Sequence, residues 1–364
     1  VKLLMLQGGF GTGGAEKIMA TLAAHRQARG DEVQVAGMFM PASGPFFPYH
    51  KGIKLHVLAG DAPKNRLLHL RRFAAIRRLI RQERPDVILS FLTKVNCLTL
   101  VATRGTGIPV VISERNNPVL QSPGFWNRAQ QVLAHGASGI VTLTGGQRDD
   151  LPHSLWGRTT VIYNVCKPVT FRRALPGPGC HFVAVGRLDR QKGFDLLIEA
   201  FSRLSDTDTH LTIFGEGPER QALEAQIRTT GMSGRISLPG IAAGAQAWLG
   251  AGEVLVASSR FEGFSNVVAE ATCSGLPVVS FDCPFGPAEM IVEGRNGLLV
   301  PPEDVAALAR AMARVAADPA LRFRLGQAPH LAARRLDPDR IMAQWDYVID
   351  SAVRPPSAAM VLSS

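Results

Sequence analysis

Two glutamates, Glu262 and Glu270, stand eight residues apart in SRFEGFSNVVAEATCSGLPVVS, residues 259–280. Between them Gly263, Phe264, Ser265 and Asn266 open a stretch whose apolar spacing predicts a helix, capped by Ser265 or Asn266. Amide donors at a helix start suit a phosphate or a sugar hydroxyl. Glu270 falls among Val267, Val268, Ala269 and Ala271. A carboxylate in such company needs partners, and a ribose diol would supply two hydroxyl donors. Arg187 and Lys192 stand five apart in VGRLDRQKGFDLLIEAF, residues 185–201, directly after an apolar run. Two cations there would clamp a diphosphate, the arginine bidentately. Each piece taken singly has a plainer reading: Glu262 as a surface residue, Glu270 as a helix-face charge, the two cations as solvated charges.

The opening MLQGGFGTGGAEK, residues 5–17, spells G-x-G-x-x-G with Gly9, Gly11 and Gly14. A dinucleotide site needs an acidic residue about 20 positions on, at the end of the second strand. That strand ends VAGMFMPAS with no carboxylate, and the stretch lacks the G-K-[ST] end of a P-loop. The glycines still let a ligand approach backbone at a helix start; they equally make a tight turn with no ligand. Gly215-Glu216-Gly217-Pro218 makes a second compact turn after a strand. Asp206-Thr207-Asp208 spells D-x-D but falls at the amino end of a strand, so it reads as a loop, and no metal is implied.

The elements that must hold these residues alternate. Strands are expected at 2–7, 32–38, 53–58, 86–91, 108–113, 139–143 and 159–163, then at 181–187, 210–214, 235–238, 253–257, 277–281 and 297–300. Helical patterns fill most gaps, among them 14–29, 66–83, 192–204, 217–230, 243–250, 265–274, 303–316 and 319–326. Alternation of this kind means parallel sheets with helices on both faces. The 364 residues are too many for one core. The proline- and glycine-rich segment 166–180 reads as a linker between two doubly wound α/β domains, 1–165 and 181–336. A last helix, 337–353, is expected to cross back to the first domain, followed by a tail, 354–364. Ligands of such sheets bind at the carboxyl ends of the strands.

The five cysteines are scattered and show no C-x-x-C pair, which points to a reducing compartment. No run of 18 apolar residues and no signal peptide are seen, so a cytoplasmic location is expected. The net charge of +10 is uneven: residues 1–170 carry +12 and the rest −2. The basic half should meet something anionic. Residues 64–84 form an amphipathic helix pattern, with Leu67, Leu70, Phe73, Ile76 and Ile80 on one face and Arg66, Arg71, Arg72, Arg77, Arg78, Arg81 and Arg84 elsewhere. Phe125, Trp126 and Arg128 add a second patch. This reads either as a core-packed helix with a solvated basic face or as a dock for anionic lipid. No nucleic-acid module is recognisable, so nucleic acid is not expected as a partner.

Taken together in order, GGAEKIMATLA, GRLDRQKGFDLLIEAF, GEGPER, the E-x7-E of Glu262 and Glu270, and FGPAEMIVEGRNGLLVPPED resemble the retaining family 4 glycosyltransferases of GT-B fold. The resemblance runs from residue 3 to about 350 and implies two Rossmann-like domains facing across a cleft. The first would bind the acceptor and the second a nucleotide sugar. Carried over by motif, Arg187 and Lys192 neutralise the donor diphosphate, Glu270 holds the ribose, and Glu262 with Gly263, Phe264, Ser265 and Asn266 holds the donor sugar and β-phosphate. Arg187, Lys192 and Glu262 are the expected catalytic residues. Gly186 and Gly215 line the donor, Pro239 and its neighbours meet the base, and the Gly13-Gly14 loop meets the diphosphate from across the cleft. SFLTKVN (90–96) and SERNNP (113–118) look like the bacterial branch that adds hexoses or N-acetylhexosamines to lipid-linked glycans, with a UDP-sugar favoured over GDP-mannose. Many members carry a histidine where this chain has Ser113-Glu114-Arg115-Asn116-Asn117; Glu114 or Arg115 would orient the acceptor instead. The implied transfer retains configuration by front-face attack, with no cofactor and no metal, at the inner face of an anionic membrane. A soluble acceptor such as a sugar phosphate is the alternative.

Overall fold

The computed structural model describes residues 1–58, 68–115, 124–172 and 179–354. Arg66, Leu67, Asn116, Asn117, linker residues 173–178 and the tail from 355 lie outside the described residues. The chain divides into two units, Val1–Asn164 with Asp339 onward, and Val165–Pro338.

The first unit is a seven-stranded sheet. Its strands are β1 (Lys2–Gln7), β2 (Glu32–Gly37), β3 (Lys54–Val57), β4 (Val87–Phe91), β5 (Val110–Ser113), β6 (Gly139–Thr142) and β7 (Thr159–Val161). They lie in the order β3-β2-β1-β4-β5-β6-β7, every pairing parallel. The second unit has β8 (His181–Val185), β9 (His210–Phe214), β10 (Ile236–Gly240), β11 (Val254–Ala257), β12 (Val278–Phe281) and β13 (Gly297–Val300). Their order, β10-β9-β8-β11-β12-β13, repeats the first scheme, again all parallel. The central strands are mostly buried and apolar, Leu3–Leu6 in β1, Val87–Leu89 in β4, Phe182–Ala184 in β8 and Val254–Val256 in β11, as strands covered on both faces require. In each sheet the chain order reverses between the first and fourth strands, β1/β4 and β8/β11. That crevice is where such sheets take ligands.

The last helix, Pro338–Val353, belongs to the first unit from Asp339 on. Trp345, Ile341 and Ile349 are fully buried there. An ion network holds the helix. Arg26, itself buried, donates to Asp31, Asp346 (2.9 Å) and Asp350 (2.7 Å), and His25 lies 2.9 Å from Asp346.

Within the helix Leu68–Glu83, Ile76 and Ile80 are buried. Leu70, expected on the same apolar face, is 63% exposed. Leu68, in the same first turn, is buried: the buried face is marked by Leu68, Ile76, Leu79 and Ile80, and Leu70 lies off it.

Candidate active site

The carboxyl ends of β8 and β11 carry Arg187 and Glu262. After β8 the chain passes Gly186 and Arg187 and turns through a short 3-10 helix, Arg190–Lys192, capped by Asp189, whose Oδ1 accepts from the Lys192 amide at 3.2 Å. Gly193 follows with φ 62°, and a Cβ there would stand 2.1 Å from the Ser258 carbonyl oxygen. Only glycine fits. This turn is stitched to the loop after β11. The Arg260 amide donates to the Gln191 carbonyl (2.8 Å), Gln191 Nε2 to the Phe261 carbonyl (3.1 Å) and Ser258 Oγ to the Lys192 carbonyl (2.9 Å). Arg260 also grips Asp195 with two bonds of 2.8 and 2.7 Å.

These stitches bring Lys192 Nζ to 2.7 Å from Glu262 Oε1. Ser259 Oγ donates to the same oxygen at 2.7 Å. Glu262 is buried. The lysine stem lies against Gly186, where a Cβ would meet its Cγ and Cδ at 3.0 Å. Arg187 is different: its side chain is 69% exposed and pairs with Asp189 at 2.5 Å. The two expected cations therefore do not stand bare; each already has a carboxylate. Beside Glu262, burial and then the Glu262 charge push the Cys283 thiol up to about 12.

Gly263, Phe264 and Ser265 are buried, Asn266 is exposed and Glu270 is half-buried rather than enclosed. Of the two expected caps, Ser265 occupies the N-cap position of the helix Asn266–Cys273, though its side chain makes no capping bond, and Asn266 is the first helical residue. Gly215, after β9, has φ 147°, and a Cβ there would fall 1.8 Å from the Gly186 carbonyl oxygen. The two turns thus touch backbone to backbone. Pro239 lies exposed in β10, where the register shifts between Ser237 and Gly240, the kind of irregular strand position that tolerates proline. The D-x-D residues form a turn before β9, with Asp206 accepting from the Asp208 amide (3.0 Å) and from Thr209 Oγ1 (2.6 Å). Among the described residues no cluster of three or more His, Cys, Asp or Glu could hold a metal ion.

In the first unit Glu114 and Arg115 are both buried, not presented to solvent. Glu114 accepts from Thr93 Oγ1 (2.8 Å), Gln130 Nε2 (3.0 Å) and the Arg115 amide (3.1 Å). Arg115 lies over the rings of Phe91 and Trp345 and donates to Asn164. Burial pulls its pKa down to about 9. Neither side chain reaches into solvent, but Glu114 lines a cavity of the first unit together with Asn127, Gln130, Thr142 and Gln147. At the Gly13-Gly14 loop the Glu16 carboxylate folds back over Gly13, where a Cβ would stand 2.2 Å from Glu16 Oε2. Sequence reading missed Glu16, Ser259 and Asp189. The signals were present: a glutamate three residues after a helix cap, and an aspartate at the cap of the turn that carries Lys192.

Two family models match consecutive stretches, Glycosyltransferase Family 4 over residues 12–167 and Glycosyl transferases group 1 over 179–318. The chain is a glycosyltransferase of the family 4, GT-B type. An exopolysaccharide phosphotransferase of Streptomyces coelicolor is 28% identical over 96% of this chain, which spans only 40% of that protein. A Campylobacter jejuni transferase is 23% identical over 95% of this chain and 97% of its own length. Its name assigns it alpha-1,4-N-acetyl-D-galactosaminyl transfer onto a diphospho-undecaprenol-linked glycan. Among solved structures, Anabaena HepE in complex with UDP superposes with a TM-score of 0.79 at 21% identity, covering 96% of this chain and 100% of that one. That likeness bears on the glycosyltransferase fold.

Proposed function

We propose that this glycosyltransferase moves a hexose or N-acetylhexosamine from a UDP-sugar to a polyprenyl-diphosphate-linked glycan, with retention of configuration and without a metal. The observation that carries this reading is the Lys192–Glu262 pair at the switch point of the second sheet, with exposed Arg187 five residues before Lys192 in the same loop. Arg187 and Lys192 would take the leaving diphosphate, whose charge grows as the glycosidic bond breaks; preorganised cations act where charge develops. Glu262, released from Lys192 as the phosphate arrives, would take donor-sugar hydroxyls, and Glu270 the ribose. A β-phosphate oxygen would help deprotonate the incoming hydroxyl on the same face, which retention without a protein nucleophile requires. The names of the relatives support the choice of substrates: one acts on a polyprenyl-diphosphate glycan, and HepE binds UDP.

The proposed place is the cytoplasmic face of an anionic membrane. Among the described residues no helix is long and apolar enough to cross one. Leu70, Phe125 (75% exposed) and Val132 nevertheless face solvent. The rings of His69 and Trp126, 4.9 Å apart, join the starts of their two helices, and Arg71, Arg72 and Arg128 lie in the same stretches. Apolar side chains in a basic frame suit anionic headgroups.

The test is nucleotide release by the purified chain from UDP- and GDP-sugars, with and without EDTA and polyprenyl-diphosphate glycan. Release of UDP that is insensitive to EDTA and stimulated by the lipid supports the whole reading. GDP release would replace the donor. Release without a lipid effect would favour a soluble acceptor, and no turnover with any donor would overturn the assignment of substrates.

A further inference from the structure

Cys166 and Cys273 lie far apart in the chain, and the fold of the second unit brings them together. Cys166 stands on the segment that enters this unit, two residues past Asn164, where the opening stretch of the first unit ends. Cys273 is the last residue of the helix Asn266–Cys273, which carries Glu270. The two thiols are hydrogen-bonded to each other. Backbone holds the same neighbours in place. The Val169 amide donates to Ser274 Oγ at 3.0 Å, so the entry segment is fixed to the end of that helix. The Cys166 amide donates to the Leu336 carbonyl at 3.0 Å. Leu336 lies two residues before Pro338, where the chain leaves the unit again. Entry and exit are thus joined at Cys166. Both sulfurs are shielded, Cys273 at 1% exposure and Cys166 at 8%.

We propose that Cys166 and Cys273 are a redox latch: an oxidant of the peroxide class joins them, and the disulfide fixes the entry segment of the second unit to the end of the helix that carries Glu270. The two sulfurs differ from the other buried thiols. The hydrogen bond from Cys166 outweighs burial and the Glu270 charge and holds the Cys273 thiol below its ordinary value, whereas burial pushes Cys97 and Cys180 up to about 12. The thiolate is the nucleophile, which makes Cys273 the attacking sulfur. It attacks one peroxide oxygen, the O–O bond breaks, and the departing hydroxide takes up the proton that Cys273 lost, leaving a sulfenic acid and water. The Cys166 sulfur then attacks the Cys273 sulfur. The S–O bond breaks, and hydroxide leaves with the Cys166 proton as a second water. Two thiols are oxidised to one disulfide, and the peroxide is reduced to water. Hydrogen peroxide is small and uncharged, which suits sulfurs this shielded. In a reducing compartment the resting state is the dithiol. Proteins of two units move about the segments that join them, so a tie at Cys166 acts where entry and exit meet. The latch needs no substrate; only its effect on turnover rests on the proposed function.

The test uses the purified full chain, reduced, desalted and exposed to hydrogen peroxide. Peptide mapping by mass spectrometry without reductant should find Cys166 joined to Cys273. The melting temperature should rise, because the bond closes a loop of roughly 100 residues in the unfolded chain, and dithiothreitol should reverse the rise. Nucleotide release from the UDP-sugar should fall about tenfold on oxidation, as when a segment whose motion gates turnover is fixed, and should recover with dithiothreitol. Cys166→Ser and Cys273→Ser should lose the linkage, the melting shift and the reversible loss of turnover, and Cys97→Ser should keep all three. Should a serine variant fail to fold, the reversible shift and the linkage in the wild type decide alone. Absence of the Cys166–Cys273 linkage, or sulfinic acid at either sulfur in its place, overturns the latch. A linked chain that melts at the same temperature and turns over at the same rate also overturns it. A reduced chain that turns over no sugar nucleotide counts against the proposed substrates instead, while the linkage and the melting shift still decide the latch.

Discussion

Lys192 Nζ and Glu262 Oε1 sit 2.7 Å apart although 70 residues separate them in the chain. In the proposed donor site the pair satisfies both charges before any ligand arrives. A diphosphate would have to compete with Glu262 for the lysine, and a sugar hydroxyl with the lysine for Glu262.

The two cations should therefore separate in their effects. Arg187→Ala should lower the rate of nucleotide release about 100-fold, the usual loss for one preorganised charge, and leave the melting temperature unchanged because Arg187 is exposed. Lys192→Ala should cost a similar factor in rate and also lower the melting temperature, since it leaves a buried carboxylate without its cation. Calorimetry on both variants beside the release assay reads the difference.

Gly215→Ala should destabilise the second unit by about 3 kcal/mol, because backbone must move to admit the methyl group. The displaced partner is Gly186, next to Arg187, so UDP affinity should fall with it. Denaturant midpoints and UDP titration on the same variant check both halves.

Acid should loosen the last helix. Burial alone would raise the Asp346 carboxyl, but hydrogen bonds from His25 and Arg26 outweigh burial and hold it below its ordinary value of 3.8. A depressed folded value means that the stabilisation is complete above the unfolded value and is lost as pH falls through the folded one. Asp346→Asn should cost about 3 kcal/mol at neutral pH, since Arg26 is buried. The variant should lose less further stability than the wild type as the pH is taken below about 4. Unfolding midpoints across that range decide it.

On anionic vesicles Phe125→Ala should reduce binding about tenfold, the worth of one large apolar side chain withdrawn from the interface. Raising salt from about 0.1 to 0.5 M should weaken the wild type further by screening its arginines. Flotation assays measure both.

The strands were legible almost to the residue, because parallel strands covered on both faces are written as mostly apolar runs bounded by glycine, proline and polar turns. The motif residues were legible for the same reason: their strands end where the motifs begin. Contacts made across the fold were not. Nothing local to Lys192 names Glu262 as its partner, and nothing local to SERNNP says that Glu114 ends inside the unit under Thr93 and Gln130. Leu70 failed differently: the buried face runs through Leu68 and Leu79 as well as Ile76 and Ile80, and Leu70 lies off it.

The first unit is discontinuous in sequence, and that has a consequence for how it is made. Its Arg26 waits for Asp346 and Asp350, which follow the whole of the second unit. On a ribosome adding about 5–20 residues per second, the interval lasts tens of seconds at the slower rates. Through that time the nascent amino-terminal half exposes the apolar seam that Trp345 will cover. The second unit, uninterrupted from Val165 to Pro338, can be finished first. Birth order and folding order should therefore differ, and truncation just before Trp345 should yield a chain that chaperones retain.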